Sequence, residues 1–141
     1  MCHNDFAPYN VTFENNKAIG IIDFDTSCPG PRIWDVAYAV YRFVPLSHQV
    51  YEVSTSCYRT YTKLDGVVRK RLLGAFLRSY GELEEVDLFP IMIARLISLV
   101  TLFDSESQKG NQAFIKMKAE GHQSFYLKET EFIKKSCHDW H

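Results

Sequence analysis

A polar loop, His3-Asn4-Asp5-Phe6-Ala7-Pro8-Tyr9-Asn10, precedes an apolar run, Ala18-Ile19-Gly20-Ile21-Ile22, that ends in Asp23-Phe24-Asp25. Between them Glu14-Asn15-Asn16-Lys17 has the polar chemistry of a tight turn. The segment therefore predicts a hairpin whose return strand, Ala18 to Ile22, carries Asp23 back toward the loop. Such a return gathers Asp5, Asn10 and Asp23 around one ion, and the rest of the chain must fold so as to support it.

The same residues fit H-x-D-x-x-x-x-N followed by a later Asp, the pattern by which kinase catalytic loops serve phosphoryl transfer. Charge and reach assign the roles. Asp5 accepts a hydrogen bond from an acceptor hydroxyl and acts as base only late, because the transition state is largely dissociative. Asn10 and Asp23 offer hard oxygen ligands that suit magnesium, so Asp5 and Asn10 form the catalytic pair and Asn10 and Asp23 the metal pair. Asp25 is either a further ligand or a carboxylate supporting the ligands from outside. The plainer alternative is that Asp5 and Asn10 only close turns.

Three segments resemble the aminoglycoside phosphotransferase family, also called the phosphotransferase enzyme family, which shares the protein-kinase-like fold. They are the loop, the stretch Ile21-Ile22-Asp23-Phe24-Asp25, and Pro29-Gly30-Pro31-Arg32-Ile33-Trp34-Asp35-Val36-Ala37-Tyr38, which is similar to the family's G-P-R-x-W-D-x-A-Y stretch. They cover roughly the first third of the chain. Tyr80-Gly81 and Gly121-His122 are weaker signs that the helical remainder is the end of the same lobe. The resemblance implies ATP and Mg2+ as cofactors, a small-molecule hydroxyl as acceptor, His3 as a brace beneath the loop, and Asp35 as a carboxylate bonding the loop backbone from below. By its position alone, Asp35 reads as a carboxylate facing a helix N-terminus, and the two jobs are compatible. Arg32 is expected in a structural ion pair with Asp35 or another carboxylate, ahead of a phosphate or substrate contact.

The departures from the family pattern set a further expectation. Asn4 stands where the family usually has Gly. Only Met1 and Cys2 precede the loop, and the chain shows no Gly-rich phosphate loop, no strand Lys paired to a helix Glu and no adenine hinge. The chain reads as a C-terminal lobe without its nucleotide lobe, inactive alone or dependent on a separate nucleotide-lobe partner. The helix that ordinarily precedes the loop is also absent, so the apolar faces of the hairpin and of helices 33–44 and 88–107 are expected to lack cover. A homodimer or an exchange of elements would satisfy them.

The chain is expected to be a single domain over residues 1–141, mainly α with a small β-hairpin (α+β). Residues 1–32 hold the loop, metal-binding hairpin and turn, and 33–141 form a helical subdomain. The expected helices are 33–44, 48–62, 67–80, 88–107, 111–120 and 123–137. In the fourth, Phe89, Met92, Ile93, Leu96, Leu99, Val100 and Phe103 recur at helical spacing and make a core face. Its apolar stretch, Ile91 to Phe103, is broken by Arg95, which argues for a buried helix over a membrane span.

A net charge of −1 gives no electrostatic case for nucleic acid or an anionic membrane. Cys2, Cys28, Cys57 and Cys137 lack C-x-x-C spacing and no signal peptide precedes them, which points to free thiols in a cytoplasmic protein. Glu82, Glu84, Glu85 and Asp87, and then Asp104 and Glu106, read as solvated acidic faces before they read as a cationic acceptor's site. His138-Asp139-Trp140-His141 reads as an unstructured tail before it reads as a metal site. Two other functions compete with the phosphotransferase. One is a non-catalytic remnant or interaction module. The other is a metal-dependent hydrolase on His3, Asp5, His48 and Asp23, which fits poorly because His48 has no partner at metal-motif spacing.

Overall fold

The structure is a computed structural model that describes residues 1–81 and 86–140. Its elements run, after a 3-10 turn at Pro8–Asn10, as β1 (Val11–Glu14), β2 (Lys17–Ile21), α1 (Arg32–Phe43), β3 (Gln49–Glu52), β4 (Cys57–Thr60), α2 (Lys63–Tyr80), α3 (Leu88–Gln108), α4 (Gln112–Ala119) and α5 (His122–Ser136). The described part is mostly helical with two small antiparallel hairpins, an α+β arrangement.

The first hairpin forms where the turn chemistry places it. Asn15 and Asn16 hold φ of 48° and 61°, the left-handed pair that a two-residue turn requires and asparagine tolerates. The pairing runs Val11↔Ile21 and Thr12↔Gly20, then Phe13↔Ala18, so Ile19 is an extra residue bulged from β2. Beside the bulge a side chain at Gly20 would meet the Thr12 hydroxyl at 2.9 Å, which explains the glycine.

α1 is the buried centre. Val36 through Tyr41 are all buried, and α3 packs on α1 while itself resting on α5 and α4. α3 buries Phe89, Met92, Arg95, Leu96 and Phe103, close to the face read from its periodicity. By length and composition α3 could cross a membrane, but here α1, α4 and α5 pack against it. The expectation that α1 lacks cover is overturned, because α3 fills that role. The hairpin face stays open, with Phe13 at 59% and Ile19 at 62% exposure.

Two further expectations fail. Residues 48–62 are not a helix but the hairpin β3–β4, paired Gln49↔Thr60 through Glu52↔Cys57. Val50, Tyr51, Tyr58 and Tyr61 favour extended chain, the turn Ser54-Thr55-Ser56 breaks a helix, and Ser56 turns at φ 52°. The tail reading of 138–141 is also wrong for its described residues: Trp140 is 2% exposed, lies 5.7 Å from Phe89 and 5.9 Å from Phe132, and donates from Nε1 to the Tyr61 hydroxyl at 3.3 Å.

α2 begins at Lys63, ahead of the expected 67, because Thr62 and Asp65 form a capping box. Asp65 also takes both arms of Arg59, at 2.8 and 2.7 Å, tying β4 to the helix start. Arg59 first, and then Thr62, hold the Asp65 carboxyl well below the usual carboxylate range. Its contribution to stability is thus fully present above the ordinary carboxylate pKa and fades as pH falls below it. Thr62→Ala should lower stability by about 1 kcal/mol, as loss of an N-cap does, measured by urea denaturation at pH 7.

Candidate functional site

The loop His3–Asn10 is held from three sides. From α1, the Asp35 carboxylate accepts the His3 N–H at 2.7 Å on one oxygen and the Asn4 N–H at 2.8 Å on the other. From α3, Arg95 Nη2 donates to the Asn4 carbonyl at 2.6 Å. From the segment after the hairpin, the Thr26 hydroxyl donates to the His3 carbonyl at 2.9 Å. Asn4 takes φ 64°, a left-handed backbone that favours glycine. As an asparagine it tolerates the left-handed backbone and adds bonds from Nδ2 to the Thr26 carbonyl at 3.0 Å and to Cys28 Sγ at 3.2 Å.

His3 is buried beneath the loop with its ring 4.7 Å from Phe24. Its two partners fix the tautomer. The Ile22 carbonyl, 2.9 Å from Nε2, can only accept, and the Asp5 N–H, 3.3 Å from Nδ1, can only donate. In the neutral ring the proton is therefore assigned to Nε2, and the side chain bridges loop and hairpin.

Asp5 projects where both carboxylate oxygens are met. Oδ1 accepts the Tyr9 hydroxyl at 2.7 Å and the Tyr38 hydroxyl at 3.2 Å, while Oδ2 accepts Asn10 Nδ2 at 3.2 Å. Asn10 Nδ2 also bonds the Asp5 carbonyl at 2.8 Å. Tyr9 and Tyr38 give no separate signal in the sequence, because aromatic residues at such places usually serve packing. Burial, and then the bond to Asp5, push the Tyr9 phenol up to about 12, and burial pushes the Tyr38 phenol higher still. Both therefore donate at neutral pH.

With Nδ2 engaged, Asn10 keeps Oδ1 as its free hard donor. The Ile22 N–H donates to the Asn10 carbonyl at 3.0 Å, which sets Asp23 one residue beyond a direct tie to Asn10. Asp23 is exposed, turns at φ 65°, and has no protein hydrogen-bond partner among the described residues; Asp25 is exposed in the same segment. Among the described residues no three His, Cys, Asp or Glu side chains gather as a metal set. A magnesium ion needs no such cage, since it commonly takes one or two protein oxygens and completes its shell with phosphate and water. Asn10 Oδ1 and the Asp23 carboxylate fit that habit.

Other sequence candidates lie elsewhere. His48 does not join the loop; its ring Nδ1 pairs with Glu129, a buried carboxylate on α5 that also accepts from the Tyr41 hydroxyl and the His48 N–H, each at 2.9 Å. Arg32 lies 5.7 Å over the Tyr80 ring, while Asp35 gives both oxygens to the loop. Asp87 caps α3 by accepting the Phe89 N–H, Asp104 pairs with Lys118 and Glu106 with Lys109. Glu82, Glu84, Glu85 and His141 lie outside the described residues. The four cysteines are free.

Residues 1–89 match the phosphotransferase enzyme family (APH), and the chain belongs to that family. Comparison with curated proteins and with solved structures gave no match.

Asp35 holds the loop through two charge-assisted bonds, and an amide in its place would turn a donor toward one backbone N–H. Asp35→Asn should destabilise the protein by about 2–3 kcal/mol, and hydrogen exchange should quicken first at His3 and Asn4.

Proposed function

We propose that these residues form the metal- and acceptor-binding side of an ATP-dependent phosphotransferase, the C-terminal lobe of a protein-kinase-like fold, that phosphorylates an alcohol group of a small molecule. The observation that carries the reading is the hairpin return, in which the Ile22–Asn10 backbone bond seats Asp23, whose carboxylate has no partner among the described residues, beside the loop bearing Asp5. Asp5 would receive the acceptor hydroxyl at Oδ1, orient it toward the γ-phosphate and take its proton late, as suits a loose transition state. Asn10 fixes the Asp5 carboxylate through Oδ2 and would share magnesium with Asp23. Bound magnesium supplies charge neutralisation of the nucleotide phosphates. His3, Asp35 and Arg95 position the loop, and Asp25 stands ready to support Asp23.

Phosphoryl transfer depends on clamping the nucleotide from both sides, so turnover calls for a nucleotide-binding lobe, carried on a longer chain or by a separate one. The exposed Phe13, Ile19 and Phe24 give that partner, or a second copy of the chain, an apolar face to cover. The cytoplasm, where ATP is plentiful, suits the activity.

Asp23→Asn should weaken magnesium-dependent nucleotide binding more than Asp5→Asn does, as read by calorimetric titration. Equal losses, or a larger one at Asp5, would reverse the assigned roles. The 141 residues alone should transfer phosphate on the order of a thousandfold or more below a normal enzymatic rate, for want of the second half of the clamp. Fusing or adding a relative's nucleotide lobe should restore turnover that depends on Asp5, and normal turnover without it would refute the reading.

A further inference from the structure

Next to Tyr9, whose hydroxyl bonds Asp5, lies a cavity of about 560 Å3 lined by Tyr9, Arg42, Glu120, His122, Phe125 and Tyr126. That volume is in the range that holds a small organic ligand. Tyr9 is the shared wall: its ring lines the cavity and its hydroxyl sits 2.7 Å from Asp5 Oδ1, the position an acceptor hydroxyl would take. Tyr9 belongs to the short 3-10 turn and is 55% exposed, so its side chain has room to yield.

Arg42 and Glu120 both line this cavity, and no ion pair joins them. Arg42 is half-buried, its guanidinium lies 5.1 Å from the Tyr9 ring and 5.9 Å from the Tyr41 ring, and no carboxylate among the described residues comes within 4.0 Å of it. Its Nε is buried without a hydrogen-bond partner. Arg69 and Arg95 also leave one buried nitrogen unpartnered, but each places another on a backbone carbonyl, of Ser47 and of Asn4, whereas Arg42 has no side-chain hydrogen bond among the described residues. The carboxylate in the cavity wall, Glu120, is already flanked by Lys116 at 3.9 Å and His122 at 3.7 Å. The start of α5 also faces this space through Gly121 and His122, with no side chain capping it, and a helix N-terminus favours negative charge.

We infer that this cavity is the acceptor pocket and that the acceptor is a small hydroxylated carboxylic acid, its carboxylate held by Arg42 and its hydroxyl replacing the Tyr9 phenol at Asp5. The inference rests on the phosphotransferase reading and specifies its substrate class. A planar guanidinium suits a carboxylate, and a monoanion suits one arginine with Glu120 nearby, where a phosphate dianion would meet repulsion. Phe125 and Tyr126 would contact the carbon chain between the two polar ends.

The test compares 4-hydroxybutyrate with 1,4-butanediol, which differ in the carboxylate, by NMR titration of the 15N-labelled chain. The acid should bind saturably, shift the amides of Arg42 and His122, and bind at least ~10-fold more tightly than the diol, as expected of one charge-assisted contact. Arg42→Met should abolish that preference and Arg42→Lys should reduce it several-fold. Should Arg42→Met fail to fold, the wild-type pair and Arg42→Lys decide the matter. Equal binding of acid and diol, no saturable binding of the acid, or an acid preference that survives in the folded variants would overturn the inference. Titrating the same wild-type chain with magnesium and ATP, after adding a relative's nucleotide lobe, separates the two levels. A nucleotide response without acid preference sinks the acceptor assignment alone, and acid preference without a nucleotide response sinks the phosphotransferase reading.

Discussion

Two backbone N–H groups pointing at one carboxylate hold the site together. His3 and Asn4 present consecutive donors to the two oxygens of Asp35, at 2.7 and 2.8 Å, and the left-handed turn at Asn4 is what lets successive N–H groups face the same acceptor. Arg95 completes the clamp on the Asn4 carbonyl. The loop's shape is therefore set by helices from distant parts of the chain, with α1 supplying the acceptor and α3 the donor. Because α1 is buried against α3, the same packing that makes the core also fixes where Asp35 and Arg95 stand.

A second buried polar centre governs the far side of α1. Glu129, fully buried on α5, accepts from Tyr41, Ser47 and the His48 backbone and pairs with the His48 ring. Arg69 on α2 bonds the Ser47 carbonyl and lies 4.4 Å from the Tyr61 ring. These bonds seat the segment that leads into β3 against three helices. A buried carboxylate is costly unless its lone pairs are filled, and here both oxygens are engaged, so the hairpin β3–β4 is pinned by polar contacts as much as by apolar ones. Glu129 and Asp35 thus do the same work at opposite ends of α1: each turns a carboxylate into the anchor of a loop that has no regular structure of its own.

The surroundings of Asp5 complete the electrostatic picture. Two phenols and one carboxamide donate to it, and burial keeps both phenols protonated. Asp5 is held as an acceptor in a fixed orientation, whereas Asp23 is exposed with no protein donor among the described residues. The two aspartates therefore differ in kind, one satisfied by protein donors and one without any among the described residues.

The sequence by itself determined what is local. The Asn15-Asn16 turn, the return of Asp23 beside Asn10, the periodic face of α3 and the family of the chain were all legible because each depends on residues close in sequence, where spacing and backbone preference decide the outcome. The β3–β4 hairpin was not, since its aromatic and β-branched residues also suit a helix face until Glu129 and the Ser/Thr turn select the extended form. Nor was the burial of Trp140, which follows from the space that Phe89, Phe132 and Tyr61 leave between them. Tyr9, Tyr38 and Arg42 had the look of ordinary packing residues; Tyr38 joined the candidate site through its bond to Asp5, and Tyr9 and Arg42 once the fold set them with the start of α5 around one cavity. The physical reason is the same in each case: which aromatic hydroxyl meets a carboxylate, and which arginine is left without one, depends on long-range packing that residue spacing along the chain does not encode.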